Sequence, residues 1–490
     1  MQRHPSPGKL EKNLLEVAVQ QGLVELYNGL VDKSGTVRKR PGLFFNQRLT
    51  QAGGIQAIYW WPARSKLGVV AGGRVYASAS PATTLTQVSD ASSVLALGPA
   101  KIVDTGRWLY ICSTSGKMVY WNGIDAATYV ADGAAPTNVS TITTLNQRVI
   151  ANEKGTNRFW FTRPPTLTNP DAAVEWEGYL ETGRNNEEVV GLDTAGGELI
   201  AFKRDTLQAY YDDAVTPYRP ITGSQQKFGL VSNSALTSYE NGLYFISPDR
   251  TIRRLEARAV SDISTPELAR ALEKLKNTGD VVVFQLEKLI LFTFPTDQKT
   301  FVFDPTLNTW TQFTTNYSGS QRDFFARSAT TLPAASQTNF WLVGCKDGSI
   351  NFWDAASFSD AGNPIFFLLR TPHQNWGTSN RKHTTRLVIR VSTEALKVAD
   401  TPDINFPAAT RCTVYSEAVT LPEGVTATVT GLPQGFSATQ AGRTLTLSGI
   451  TGSFAGNQPI QVIVTDARGA SYTLDKVFTV NDFDIEIGVL

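Results

Sequence analysis

Along most of the chain a short run rich in Val, Ile, Leu and aromatics leads into a polar or glycine-containing turn. A second such run follows, often ending on an aromatic residue. Regular examples are KLGVVAGGRVYAS from Lys66, RWLYICSTSGKMVYWNG from Arg107, GELIAFKRDTLQAYYDD from Gly197, NGLYFISPDRTIRRLEA from Asn241, KLILFTFPTDQKTFVFD from Lys288 and TNFWLVGCKDGSINFWD from Thr338. A less regular one, QRVIANEKGTNRFWFTR from Gln147, falls between the second and third. The alternation and the turn residues make each a β-hairpin. The hairpins recur roughly every 40–50 residues between about residues 55 and 355, the period of four-stranded propeller blades. The helices that a parallel sheet requires do not separate them. The pattern predicts an all-β chain built on a six- or seven-bladed β-propeller, the alternative being a large sandwich or several all-β domains. Closure would borrow a strand from either end. One segment, STPELARALEKLKN from Ser264, predicts a helix inserted between blades, from its Ser/Thr start, early proline and helical apolar spacing.

The flanks read differently. Before the repeats, the stretch from Leu14 to Leu43 ends in a basic turn, Arg38, Lys39, Arg40, Pro41, Gly42. After them, HTTRLVIRVSTEALKVAD from His383 opens with an alternating strand. From about Ala418 to Val480 aromatics thin out and Thr, Val, Gly and Ala take over, in six or seven short alternating strands that suit a small β-sandwich. The tail DFDIEIGVL alternates again and would pair near Leu387. The resulting division is an N-terminal platform segment over 1–50, the propeller over 51–370, a platform strand and linker over 371–415, the sandwich over 416–482 and a C-terminal strand over 483–490.

Composition narrows the function. A chain of 490 residues exceeds one ordinary core, and 41% hydrophobic with 10% aromatic residues describes a folded protein. Lys+Arg 45 against Asp+Glu 44 leaves a net charge of +1, so no overall attraction for phosphates or anionic membranes is expected. The opening MQRHPSPGKLEKN lacks the apolar core of a signal peptide, and no apolar run approaches the roughly 18–20 residues that span a bilayer. These features lead us to expect a soluble protein made and kept in a cytoplasm. Cys112, Cys345 and Cys412 are far apart and odd in number, which suggests buried thiols rather than a disulfide framework or metal site.

Catalytic constellations are not evident. The three histidines, His4, His373 and His383, lie in no HExxH setting, and no GxSxG, phosphate loop or dinucleotide fingerprint is present. Gly116-Lys117 is followed by Met118 and lacks the preceding glycine. Asp193, Asp212, Asp213, Asp304, Asp347 and Asp354 sit at hairpin ends, where tight turns favour them. Trp60, Trp61, Trp121, Trp160 and Trp353 suit sugar stacking or, more simply, blade-to-blade packing. Neither enzymatic activity nor a cofactor is expected. The basic clusters Arg38, Lys39, Arg40 and Arg381, Lys382, His383 are either solvated turns or contacts with an acidic neighbour or with passing DNA.

The stretch from Asn13 to Leu43, above all GLVDKSGTVRKRPGLFF from Gly29, resembles the opening of the packaged-DNA stabilisation (tail hub or nozzle) proteins of short-tailed phages. In that family a strand, a basic turn and a Pro-Gly pair precede the first blade. GELIAFKRDTLQAYYDD, QQKFGLVSNSAL from Gln225 and NGLYFISPDRTIRRL resemble its middle blades. The resemblance spans roughly residues 13 to 390. It implies a ring of subunits, generally six-fold, beneath the portal and adaptor, contacting a tail fibre or needle, retaining packaged DNA and later conducting it without sequence-specific binding. Residues from about Ala418 to Val480 resemble an immunoglobulin-like module, on LPQGFSAT at Leu432, LTLSGI at Leu445 and VIVTDARGASY at Val462. On these expectations the segments from Leu14 to Leu43 and from Trp376 to Arg390 form a docking platform, with Arg38, Lys39, Arg40, Arg381 and Lys382 near subunit contacts or the DNA path. A carbohydrate-binding propeller is the second reading and a propeller hydrolase the third.

Overall fold

The computed structural model describes residues 25–33, 36–49, 54–81, 83–183, 187–212, 217–317, 320–333, 340–357, 359–370, 406, 408–410, 414–421, 425–450, 456–465 and 471–481. The chain divides into two compact units, residues 1–354 with 363–373, and residues 355–362 with 374–490.

The first unit is a seven-bladed propeller. Blade 1 comprises Ile55–Trp61, Lys66–Ala71, Arg74–Ser78 and Thr86–Gln87. Blade 2 comprises Lys101–Asp104, Leu109–Cys112, Val119–Trp121 and Thr128–Tyr129. Blade 3 is Ile142–Leu145, Arg148–Asn152, Arg158–Thr162 and Trp176–Glu181, and blade 4 is Val189–Ala195, Glu198–Lys203, Leu207–Tyr211 and Arg219–Pro220. Blade 5 is Leu236–Tyr239, Gly242–Ile246, Ile252–Glu256 and Ala259–Asp262. Val282–Leu286, Leu289–Phe294, Lys299–Asp304 and Thr309–Tyr317 form blade 6. The first strand of each blade packs against the first strand of the next, and that of blade 7 packs against that of blade 1, so the ring is closed.

Blade 7 is assembled from both ends of the propeller sequence. Ala326–Leu332, Phe340–Cys345 and Ser349–Asp354 supply three strands, and Gly42–Arg48 supplies the fourth. Its register is antiparallel, with Asp354 opposite Gly42, Trp353 opposite Leu43 and Phe352 opposite Phe44. The sequence pattern had put this strand in the platform segment 1–50 and before a first blade. It belongs to the last blade instead, because Leu43, 1% exposed, completes a core with Phe313, Phe324, Val343 and Trp353.

Stacking covers both faces of each blade, which explains why second strands such as Leu109–Cys112, Gly242–Ile246 and Leu289–Phe294 are buried at every position. Large aromatics fill the space between blades. Trp61 and Trp121, both buried, meet at 5.7 Å between blades 1 and 2, and Phe202 meets Phe245 at 4.9 Å between blades 4 and 5. The helix Pro266–Glu273 lies between blades 5 and 6, as its sequence predicts. Thr265 Oγ1 accepts the Leu268 N–H at 3.3 Å, proline opens the first turn, and Leu268 and Leu272 anchor the apolar face in the core. Arg250 closes the other end by donating to the carbonyls of Glu273 (2.7 Å) and Leu275 (3.0 Å).

The second unit contains a sandwich of a four-stranded and a three-stranded sheet. Ala409–Thr410, Ser471–Asn481, Gly456–Thr465 and Thr426–Thr430 form one, and Val414–Thr420, Thr444–Ile450 and Phe436–Ala441 the other. Leu445 packs with Ala427, Val462 and Val464 across the sheets, and Tyr415, Phe436 and Phe478 form an aromatic trio. The fold begins ahead of the expected start at 416. Ala409, 1% exposed, pairs with Val480, and Phe406 packs on both cores. The expected C-terminal strand 483–490 and the stretch 371–405 lie outside the described residues.

Candidate interface at the outer edge of blade 6

Blade 6 carries two further strands on its outer edge. Glu25–Tyr27 lies parallel to Thr309–Tyr317, with Tyr27 opposite Gln312. Leu368–Arg370 lies antiparallel beyond it, pairing Glu25 with Arg370, Leu26 with Leu369 and Tyr27 with Leu368. The chain entering the propeller and the chain leaving it therefore run side by side. Of the two segments expected to form a platform, the first contributes Glu25–Tyr27 here, whereas Trp376 to Arg390 lies outside the described residues and Leu368–Arg370 comes from the span assigned to the propeller.

Next comes a two-stranded ribbon, Gly29–Val31 with Val37–Lys39. Its turn is set by Asp32, whose Oδ1 accepts the Thr36 N–H at 2.9 Å and whose carboxylate pairs with Arg38 at 3.3 Å. One strand of the ribbon packs on blade 6 through Leu30, and the other leaves Arg38 (side chain 74% exposed) and Lys39 exposed. Arg40 departs from the expectation that groups it with them. It is 2% exposed, donates to Asn28 Oδ1 (2.9 Å), the Pro41 carbonyl (3.0 Å) and the Thr314 carbonyl (3.0 Å), and lies over Phe324 (4.6 Å) and Phe313 (5.3 Å). A planar guanidinium can bridge three acceptors and still stack on rings, which makes burial of the charge tolerable. Arg40 is thus an internal tie rather than a surface contact. Arg381, Lys382, His4, His373 and His383 lie outside the described residues.

Sequence reasoning missed Asn28. It is fully buried with φ +54°, a left-handed geometry that Asn tolerates. Its amide donates to Thr314 Oγ1 (2.8 Å) and the Phe366 carbonyl (2.6 Å), and its oxygen accepts from the Thr314 N–H (2.8 Å) besides Arg40. The Asn28-Gly29 pair, a turn signal in its own right, was the available clue.

Other described candidates serve the fold, and Asp213 lies outside the described residues. Asp304 Oδ1 accepts the Thr306 N–H at 2.9 Å and Asp347 Oδ1 the Ser349 N–H at 3.1 Å, as turn residues do. Asp212 faces the buried Arg148 at 3.8 Å. On the axis side, Lys101 of blade 2 reaches past blade 3 to the Leu192 carbonyl (2.9 Å) and Asp193 (3.3 Å) of blade 4. Asn233, ahead of blade 5, donates to the Ser140 carbonyl, ahead of blade 3, at 2.7 Å. Of the singled-out tryptophans, Trp61, Trp121 and Trp353 are buried, while half-buried Trp160 packs on Tyr179 at 4.7 Å. Burial pushes the Cys112 thiol up to about 12, and Cys345 is buried too; Cys412 lies outside the described residues. Among the described residues no group of three or more His, Cys, Asp or Glu is placed to hold a metal ion. No helix among them is long and apolar enough to cross a membrane.

The profile of the phage stabilisation family, described as bacteriophage P22 Gp10, beta-propeller, matches residues 23–350. The chain belongs to that family. The matched span starts at the arm beside blade 6 and ends at Ile350, within the third strand of blade 7, so it takes in blades 1 to 6, the closing strand Gly42–Arg48 and the first two strands of blade 7. The family makes the chain a phage stabilisation β-propeller protein. No curated protein matches the sequence. Similar solved structures include the computationally designed Ika8 protein, with 12% identity, TM-score 0.38, and 64% of this chain and 99% of that one covered. A chain of the mitotic checkpoint complex gives 14% identity and TM-score 0.43, covering 65% of this chain and 93% of that one. The Pan2 WD40 domain of Neurospora crassa gives 9% identity and TM-score 0.39, covering 62% and 89%.

Proposed function

We propose that the chain is a structural virion protein of a short-tailed phage, forming a ring in the tail hub or nozzle below portal and adaptor. In this reading it has no catalytic role, retains packaged DNA, and conducts it at ejection. Membership of the phage stabilisation family, matched over residues 23–350, carries the reading. Near-neutral charge supports it, because a conduit with many phosphate contacts would bind DNA in a salt-dependent way and slow its passage. The DNA path is then the axis of a ring of subunits, built from cyclic head-to-tail contacts and generally six-fold. The outer edge of blade 6, with Arg38 and Lys39 in solvent, offers the docking surface, joined by Arg381 and Lys382. The immunoglobulin-like module faces a fibre, a needle or a neighbouring subunit.

The test is a phage carrying Arg38→Glu and Lys39→Glu. Exposed charges contribute little to folding, so the protein should remain folded. Particles should package DNA and then lose it, read as DNA-free capsids in a density gradient. Normal incorporation and full infectivity would reduce the two side chains to solvated turn residues. Genome retention by particles lacking the protein altogether would refute the stabilisation role and favour glycan binding.

A further inference from the structure

We infer that Asn28 and Arg40 form a clasp through which the N-terminal arm and the strand leaving the propeller are held, and released, as one unit. The inference stands whether or not Arg38 and Lys39 meet a partner. It starts from a saturated side chain. An asparagine amide has two N–H donors and an oxygen with two lone pairs, and all four capacities of Asn28 are used, by Thr314 twice, Phe366 and Arg40. Its backbone adds two bonds, its N–H to the Gln312 carbonyl (2.8 Å) and its carbonyl from the Arg40 N–H (2.9 Å). One residue thus ties the arm, the outer strand of blade 6 and the exit segment together.

Strand order couples the two. In the sheet, Glu25–Tyr27 lies between blade 6 and Leu368–Arg370, so Leu368–Arg370 itself pairs with the arm and not with the blade, although Asn363–Pro364 just before it lies against Thr309–Tyr317. Close packing reinforces this, because a Cβ on Gly29 would meet Leu26 Cδ1 at 2.5 Å and Phe367 Cε2 at 3.0 Å. Arg40 then connects the clasp to ring closure. Its guanidinium lies on Phe313 and Phe324, and Leu43, three residues on, enters the same core at the start of the closing strand. A buried network of this kind fails as a whole, since losing one member strands the remaining polar groups without partners. Force or docking on either flank is therefore felt by the other and by the closing strand.

The test is backbone amide hydrogen exchange on the full chain, comparing wild type with Asn28→Gly and Arg40→Met. Glycine keeps the left-handed backbone and removes only the side chain. Amides in 25–31 and in 368–370 should exchange at least about tenfold faster, by similar factors in both variants, with the double variant no faster than either alone. Amides in Arg148–Thr162 of blade 3 should keep their protection. Arg40→Lys should behave as Arg40→Met, because an ammonium group cannot bridge three acceptors while lying flat on two rings. Acceleration confined to the arm would overturn the coupling, and so would a uniform acceleration of all blades or unchanged exchange. If Arg40→Met does not fold, Asn28→Gly alone decides between these outcomes.

Discussion

Gly229 shows how little room a single residue has between blades 4 and 5. A Cβ there would lie 1.7 Å from the Arg204 carbonyl oxygen and 2.1 Å from its carbon, and backbone cannot step aside as a flexible side chain can. Gly229→Ala should cost about 3 kcal/mol or more, whereas Gly178→Ala, whose Cβ meets nothing within 4 Å, should stay within about 0.5 kcal/mol. Chemical denaturation of the two variants checks this, and equal effects would contradict the close approach. Cys112 predicts a pH effect. Burial raises its thiol from 9.0 to about 12, so above about pH 9 the unfolded chain releases a proton that the folded chain keeps. The stability this group contributes is complete below that pH and is lost as pH rises towards the folded value, by about 1.4 kcal/mol per unit. Cys112→Ala should reduce the fall of stability between about pH 9 and 10 without abolishing it, because tyrosines raised by burial add their own fall as pH approaches 10. The burial of Cys112 was legible in the sequence, but the close approach at Gly229 was not, since a glycine acquires such a role from neighbours that only folding supplies. Arg40 is the sharpest case. Within a run of three basic residues nothing distinguishes it, and its burial depends on Phe313, Phe324 and Thr314, which lie at the far end of the propeller sequence.

At the scale of elements, what was legible was local. The hairpins, the recurring period and the capped helix are written in alternation, turn residues and spacing, and each is made by residues close in sequence. The closing strand was not legible in this way. Gly42–Arg48 pairs with Ser349–Asp354, and an apolar stretch with so distant a partner looks the same whether it ends an arm or completes a blade. The arm was half legible: the segment up to Leu43 stands out in the sequence, but its pairing with Leu368–Arg370, inside the span assigned to the propeller, and the clasp at Asn28 depend on contacts across the chain. The closing strand carries its own prediction. Deleting residues 1–48 removes Leu43 from the core and bares the edge of a blade strand that includes Ile350 and Phe352, an invitation to edge-to-edge association. The truncated protein should aggregate or lose its sharp unfolding transition, as size-exclusion chromatography and thermal melts would show. A monodisperse product melting with the intact chain would mean that the ring closes without this strand.

At the scale of the whole molecule, the two units have separate cores, and the sandwich core draws all its members from residues 406 to 478. A unit that buries its apolar surface within itself can fold by itself. The change in composition made this region visible in the sequence, but its start was not, because the short strand Ala409–Thr410 precedes the alternating pattern and gains its place only by parallel pairing with the end of Ser471–Asn481. That difference separates two fragments. Residues 406–482 should give a soluble β-rich domain with cooperative unfolding. Residues 416–482, lacking Phe406, the buried Ala409 and buried Tyr415, should be at least about 3 kcal/mol less stable or fail to fold, since deleting a large core side chain alone costs that much. The complementary chain ending at residue 405 should remain soluble and keep the unfolding transition of the propeller. Urea unfolding of the three proteins, followed by tryptophan fluorescence for the propeller and far-ultraviolet circular dichroism for the fragments, decides the matter. Equal stability of the two fragments would remove the first strand from the domain, and aggregation of the chain ending at 405 would show that the propeller depends on the module after all.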